Sequence, residues 1–142
     1  MNSIPPNQRR ERRALCVDDD FQLRPLVALI LQSVGFAVIE AGSCAQGRQA
    51  LESETPALVV LDVDLSDGNG FDLAEAWRRE GHPLPPILFI SGREPAECHI
   101  RAARLNAAFL PKPFDAPTLL AAVRALLAHG RQQGGAVTGS TG

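Results

Sequence analysis

Apolar and polar positions alternate along this chain in short blocks. Residues 14–17 (ALCV) form an apolar run that stops at three consecutive aspartates, which predicts a buried strand. Leu23, Leu26, Val27, Ile30 and Val34 then recur at helical spacing, with Pro25 in the first turn and Gly35 as a stop. FAVIE (36–40) is strand-like, and residues 43–54 predict a weaker helix ended by Pro56. ALVVL (57–61) is apolar throughout, as a strand covered on both faces requires. Helical spacing returns at Phe71, Ala74 and Trp77 and closes at Gly81, and PLPP (83–86) is a connector. ILFI (87–90) predicts a further buried strand, residues 95–105 a helix, and AAFL (107–110) a short strand. The last helix carries Leu119, Leu120, Val123, Leu126 and Leu127, with Gly130 after it.

Five strands alternating with five helices define an α/β domain, a parallel sheet with helices on both faces and right-handed crossovers. At 142 residues the chain has room for one such domain and a real core. Residues 13–128 read as the folded domain, 1–12 as a flexible polar arm and 129–142 as a flexible Gly- and Ser-rich tail. No output domain is legible beside it. Formal charge is −2, from 14 basic and 16 acidic side chains, which points neither to nucleic acid nor to an acidic surface. The basic cluster Arg9, Arg10, Arg12 and Arg13 reads as a solvated arm. Cys16, Cys44 and Cys98 lack the spacing of a zinc site or a disulfide framework, so reduced thiols and a cytoplasmic setting are expected. No apolar run is long enough for a bilayer, and the first residues do not read as a signal peptide.

Ligands of open α/β sheets bind beyond the carboxyl ends of the strands, so the polar residues at those ends carry the chemistry. The first strand ends in Asp18-Asp19-Asp20, and the third in Asp62 with Asp64 two residues on. The fourth ends in Ser91-Gly92, and the fifth, after Pro111, in Lys112-Pro113. Carboxylates forced together repel unless a cation compensates. Oxygen ligands without Cys or His favour Mg²⁺, or alternatively Mn²⁺, over Zn²⁺. A hydroxyl and a lysine facing the same place suit a phosphoryl group, and an aspartate can be the nucleophile that receives it. The plainer readings are that Asp20 and Ser91 cap helices, Lys112 is a surface residue and Asp64 belongs to a turn.

The motifs ALCVDDD, LVVLDVDLSDGNGFDL, ILFISG and FLPKPF, in this order at successive strand ends, resemble the receiver domain of bacterial response regulators. The resemblance covers about residues 13–128 and implies a flavodoxin-like, doubly wound five-stranded sheet of order 2-1-3-4-5. It implies Asp62 as phosphoacceptor and Asp18 and Asp19 as Mg²⁺ ligands, Asp18 mainly through water. Asp62 and the Asp64 backbone carbonyl would complete the metal shell. Ser91 takes the place of the switch hydroxyl, Gly92 that of the small residue leaving the site open, and Lys112 that of the phosphoryl contact. Pro113 would follow a cis peptide. Phe109 matches the aromatic whose rotamer reports activation.

The implied function is a phosphorylation-dependent signalling switch, not a turnover enzyme. It would be charged by a histidine kinase or phosphotransfer protein and read by a downstream protein on the helix 4–strand 5–helix 5 face, without direct nucleic-acid or membrane binding. A phosphate-independent interaction module and a Mg²⁺-dependent aspartate-nucleophile phosphohydrolase are the alternatives. Ser66 and Asn69 depart from the proline and aspartate usual in the family, and Asn106 stands where a left-handed glycine is usual. Asp64 and Arg93, each two residues past a site residue, flank the entrance; the two readings are a pair across it that slows self-hydrolysis of the phosphoryl group, and two solvated charges.

Overall fold

The computed structural model describes residues 12–139, with no side chain described beyond His129. The elements are β1 (Arg13–Val17), α1 (Leu23–Gln32), β2 (Ala37–Ala41), α2 (Cys44–Glu54), β3 (Leu58–Asp62), β4 (Asp64–Leu65), β5 (Gly68–Asn69), α3 (Gly70–Arg79), β6 (Ile87–Ser91), α4 (Pro95–Arg104), β7 (Ala108–Pro111) and α5 (Ala116–Gly139). The main sheet has order β2-β1-β3-β6-β7, and every pair in it is parallel. With β6 and β7 as its fourth and fifth strands, this is the 2-1-3-4-5 order of a flavodoxin-like fold.

Strand alternation sorts the apolar side chains to two faces. Leu15, Val17, Val59, Leu61, Ile87 and Phe89 pack with Leu51, Phe71, Trp77 and Leu105 on the α2–α3–α4 side. Ala14, Cys16, Leu58, Val60, Leu88 and Ile90 pack with Val27, Leu31, Leu119 and Val123 on the α1–α5 side. All five residues of β3 and of β6 are buried, whereas the edge strand β2 is half solvated, which matches the mixed pattern of AVIEA.

Gly35 ends the turn after α1 at φ +101°, and Asn106 adopts the expected left-handed conformation at φ +54°. Two features differ from the sequence reading. The turn after Asp62 is itself a two-stranded antiparallel hairpin, β4 with β5. The last helix passes the expected stop at Gly130 and runs to Gly139, within the stretch expected to be a tail. No proline follows Gly130 to end it, and a glycine inside a helix costs only about 1 kcal/mol. The expected arm 1–12 lies, apart from Arg12, outside the described residues. The three cysteines are free, and no helix among the described residues is long and apolar enough to cross a membrane.

Candidate functional site

The site forms where β1 and β3, adjacent in the sheet, send their chains to opposite faces. β1 carries Asp18 to full burial. Its N–H donates to the Ala41 carbonyl at 3.0 Å, and its carbonyl accepts from Arg24 Nη1 at 2.7 Å. Its Oδ1 accepts from Asp20 N–H at 2.9 Å, while its buried Oδ2 has no hydrogen-bond partner. Asp19 is exposed, and its Oδ2 accepts from Ser66 N–H at 2.9 Å, which ties the acidic loop to the hairpin. Asp20 has the plainer role: its Oδ1 accepts from the N–H groups of Gln22 and Leu23 and caps α1.

Asp62 is the last residue of β3 and only 3% exposed. Its Oδ1 accepts from Asp64 N–H at 2.9 Å and its Oδ2 from Lys112 Nζ at 2.8 Å. Lys112 follows β7, is anchored by its N–H to the Ser91 carbonyl at 2.8 Å, and lies 3.5 Å from Asp18 Oδ2. The Lys112–Pro113 peptide is cis, as expected. Burial pushes the Asp62 carboxyl from 3.8 up to about 7. Lys112 pulls against this rise, and the neighbouring Asp18 adds to it. Burial works against the Lys112 ammonium, but the Asp62 hydrogen bond and the charges of Asp62 and Asp18 prevail and raise its pKa.

Carboxylate oxygens of Asp18, Asp19 and Asp62 lie within 4.8 Å of one another. Three hard oxygen donors, one of them buried and without a partner, fit a divalent cation of the Mg²⁺ type. The Asp64 side chain is not part of this cluster. Its Oδ2 accepts from the Ser91 hydroxyl at 2.9 Å, and its Oδ1 is ion-paired with Arg93 Nε, so of the two readings of these charges the pair is the one that forms. Ser91 is fully buried and also accepts from Arg93 N–H at 2.9 Å, a local turn contact. A Cβ placed on Gly92 would meet no atom within 4 Å, so that side of Ser91 is open. Phe109 is buried, with the His99 ring edge-on to it at 4.9 Å.

Three further residues build the site. Arg24 bridges the Asp18 carbonyl and Glu40, holding the acidic loop against β2. Gly70 packs against Asp62 so closely that a Cβ would lie 2.3 Å from the Asp62 carbonyl oxygen. Asp67 accepts from Cys44 and Ala45 N–H and fastens the hairpin to the start of α2. From the sequence Gly70 reads only as a glycine that lets the turn fold tightly, and Arg24 and Asp67 left no signal.

A doubly wound sheet of this strand order with an acidic pocket at its switch point defines a CheY-like α/β domain. The model of the response regulator receiver domain matches residues 14–124, and the chain belongs to that family. It is 36% identical over 143 residues to the alkaline phosphatase synthesis transcriptional regulatory protein SphR of Synechococcus elongatus, covering 92% of this chain and 54% of that protein. It is 37% identical over 119 residues to the transcriptional regulatory protein GltR of Pseudomonas aeruginosa, covering 82% of this chain and 49% of that one. The chain thus spans about half the length of these two relatives. A CheY-like receiver domain protein from Methanospirillum hungatei superposes with TM-score 0.77 at 25% identity, covering 86% of this chain and 98% of that one.

Proposed function

We propose that this chain is a phosphorylation-dependent switch that accepts a phosphoryl group on Asp62 from a phosphohistidine of a histidine kinase or phosphotransfer protein. The observation that carries the reading is the pair of buried carboxylates Asp18 and Asp62 facing the half-buried Lys112, with Lys112 Nζ 2.8 Å from Asp62 Oδ2 and an Asp18 oxygen beside it that accepts no hydrogen bond. In the transfer, an Asp62 carboxylate oxygen bonds to phosphorus as the phosphorus–nitrogen bond of the donor breaks, its electron pair leaving with the imidazole. Asp18, Asp19, Asp62 and the Asp64 backbone carbonyl would hold Mg²⁺. When bound, the ion supplies positive charge that keeps the carboxylates ionised and offsets the phosphoryl oxygens.

Lys112 donates to a phosphoryl oxygen while holding Asp62 in place. Ser91 closes on the phosphoryl group, and its movement together with Phe109 alters the face formed by α4, β7 and α5, a shift between two pre-existing states. A downstream protein or output module reads that face in the cytoplasm, and the receiver itself contacts neither nucleic acid nor membrane. The chain runs no catalytic cycle on small phosphate esters. The Asp64 carboxylate, which a phosphohydrolase would use as acid or base, is engaged with Ser91 and Arg93 instead.

The test is phosphorylation by a phosphohistidine donor with Mg²⁺, followed by borohydride reduction, which converts an aspartyl phosphate to homoserine. Homoserine at residue 62 in peptide mapping, lost when Mg²⁺ is chelated, is the expected result. Homoserine elsewhere or none would contradict the assignment.

A further inference from the structure

The Ser91 hydroxyl has one proton to give, and here it is given to Asp64 Oδ2 at 2.9 Å. Its oxygen also accepts from Arg93 N–H at 2.9 Å. Asp64 is fixed from two sides, by its N–H to Asp62 Oδ1 and by the ion pair with the Arg93 side chain. A hydroxyl donating to this carboxylate cannot donate to a phosphoryl oxygen on Asp62 at the same time. The other side chain of the switch is differently placed. Phe109 is 8% exposed and already packed in the core with Cys98, Ala102 and Leu105. One half of the switch is therefore inside while the other is retained.

We infer that Asp64 is a positioning residue that competes with the phosphoryl group for the Ser91 proton, and so sets the balance between the resting and the phosphoryl-bound state. This rests on the phosphoacceptor reading of Asp62. The grip lies at the rim, with the Asp64 and Arg93 side chains 36% and 68% exposed, so it is weaker than the same bond in the interior. Its release is worth about tenfold in affinity for a phosphoryl group, a difference of about 1.4 kcal/mol. Removing the Asp64 charge also relieves repulsion of any anion at the site, so the two effects must be separated through Ser91.

The experiment titrates beryllofluoride, a phosphoryl stand-in, into the Mg²⁺-loaded chain by calorimetry. It uses wild type, Asp64→Ala, Ser91→Ala and the double variant as a thermodynamic cycle. Asp64→Ala keeps the backbone N–H that holds Asp62, and is expected to bind about tenfold more tightly than wild type. Most of that gain is expected to vanish in the Ser91→Ala background. Asp64→Asn, which removes the charge but still offers an acceptor, should fall between wild type and Asp64→Ala. Arg93→Ala, on an exposed side chain with little bearing on folding, should also give a partial gain. In the ligand-free protein, the Arg93 amide resonance should move in Asp64→Ala, because its acceptor is the Ser91 oxygen.

An equal gain with and without Ser91 would overturn the inference, because Asp64 would then act only as a charge. No gain at all would overturn it too. Failure of wild type to bind beryllofluoride would overturn the phosphoacceptor reading itself, and this inference with it.

Discussion

Two of the places where this molecule gathers two carboxylates around one cation differ sharply in burial. At the seam between α3 and α4, Arg101 Nη2 lies 3.1 Å from Asp72 and 3.1 Å from Glu75, with its guanidinium 4.7 Å from the Phe71 ring centroid. Those two acid side chains are 71% and 35% exposed, so water shares the charges and the cluster acts as a weak clasp. At the sheet edge, Lys112 faces Asp62 and Asp18, whose side chains are 4% and 0% exposed. There the charges have little water to share, one buried oxygen accepts no hydrogen bond, and Asp62 is driven toward its neutral form. The same balance of charge, two carboxylates to one cation, thus makes a fastening in one place and an incomplete site in the other. Burial without full satisfaction is what distinguishes the site.

The comparison is broken most severely by Gly70→Ala. The new methyl would need the space of the Asp62 carbonyl, so the β3 end must shift. A loss of about 3 kcal/mol, the upper range for overpacking, is expected in chemical denaturation, with weakened phosphoryl acceptance. A mutant as stable as wild type would show that the hairpin gives way freely.

The second effect concerns charge at the buried cluster. Between its ordinary value of 3.8 and about 7, the folded protein holds a proton on Asp62 that the unfolded chain has released. Metal-free protein therefore loses stability as pH rises through that window, and the loss is complete above the folded value. Asp62→Asn should flatten this part of the profile. At neutral pH, Mg²⁺ at a hundred times its dissociation constant should return about 2.7 kcal/mol, reversed by chelation. Thermal unfolding across pH with and without Mg²⁺ reads both, and a flat wild-type profile would contradict the burial argument.

Arg93 stands between the two extremes, an exposed cation on a half-buried carboxylate. Arg93→Ala opens the entrance to water and should speed loss of the phosphoryl group, by up to about fivefold if the pair is worth at most about 1 kcal/mol. An unchanged dephosphorylation rate would remove the gate. The smallest effect on the phosphoryl chemistry belongs to the seam. Arg101→Ala should cost about 1 kcal/mol, from the ion pairs and the contact with Phe71, and leave phosphoryl acceptance unchanged. Lost acceptance would mean that the seam and the site are coupled.

Much of this was legible in the chain. β3 and β6 were visible because strands buried on both faces read as unbroken apolar runs, and their ends placed Asp62 and Ser91 within one residue of where they lie. The convergence of Asp18, Asp62 and Lys112 followed from parallel topology alone. Contacts set by side-chain direction were not legible. The clasp of Arg101 left no trace in the chain because periodicity does not record that α3 offers it two acids. The Ser91–Asp64 bond was hidden for the same reason: spacing from each strand end put both at the entrance but could not say which group the hydroxyl would choose. The β4–β5 hairpin was missed because two-residue strands carry no pattern of their own.

Every functional role proposed for this chain depends on the buried carboxylate of Asp62 accepting the phosphoryl group. The most direct measurement is intact mass after incubation with acetyl phosphate and Mg²⁺, for wild type and Asp62→Asn side by side. The mass of one added phosphoryl group is expected on wild type, absent from the variant and absent when Mg²⁺ is chelated. Equal modification of the two proteins, or none on a wild type shown to bind both Mg²⁺ and its phosphohistidine donor, would contradict it.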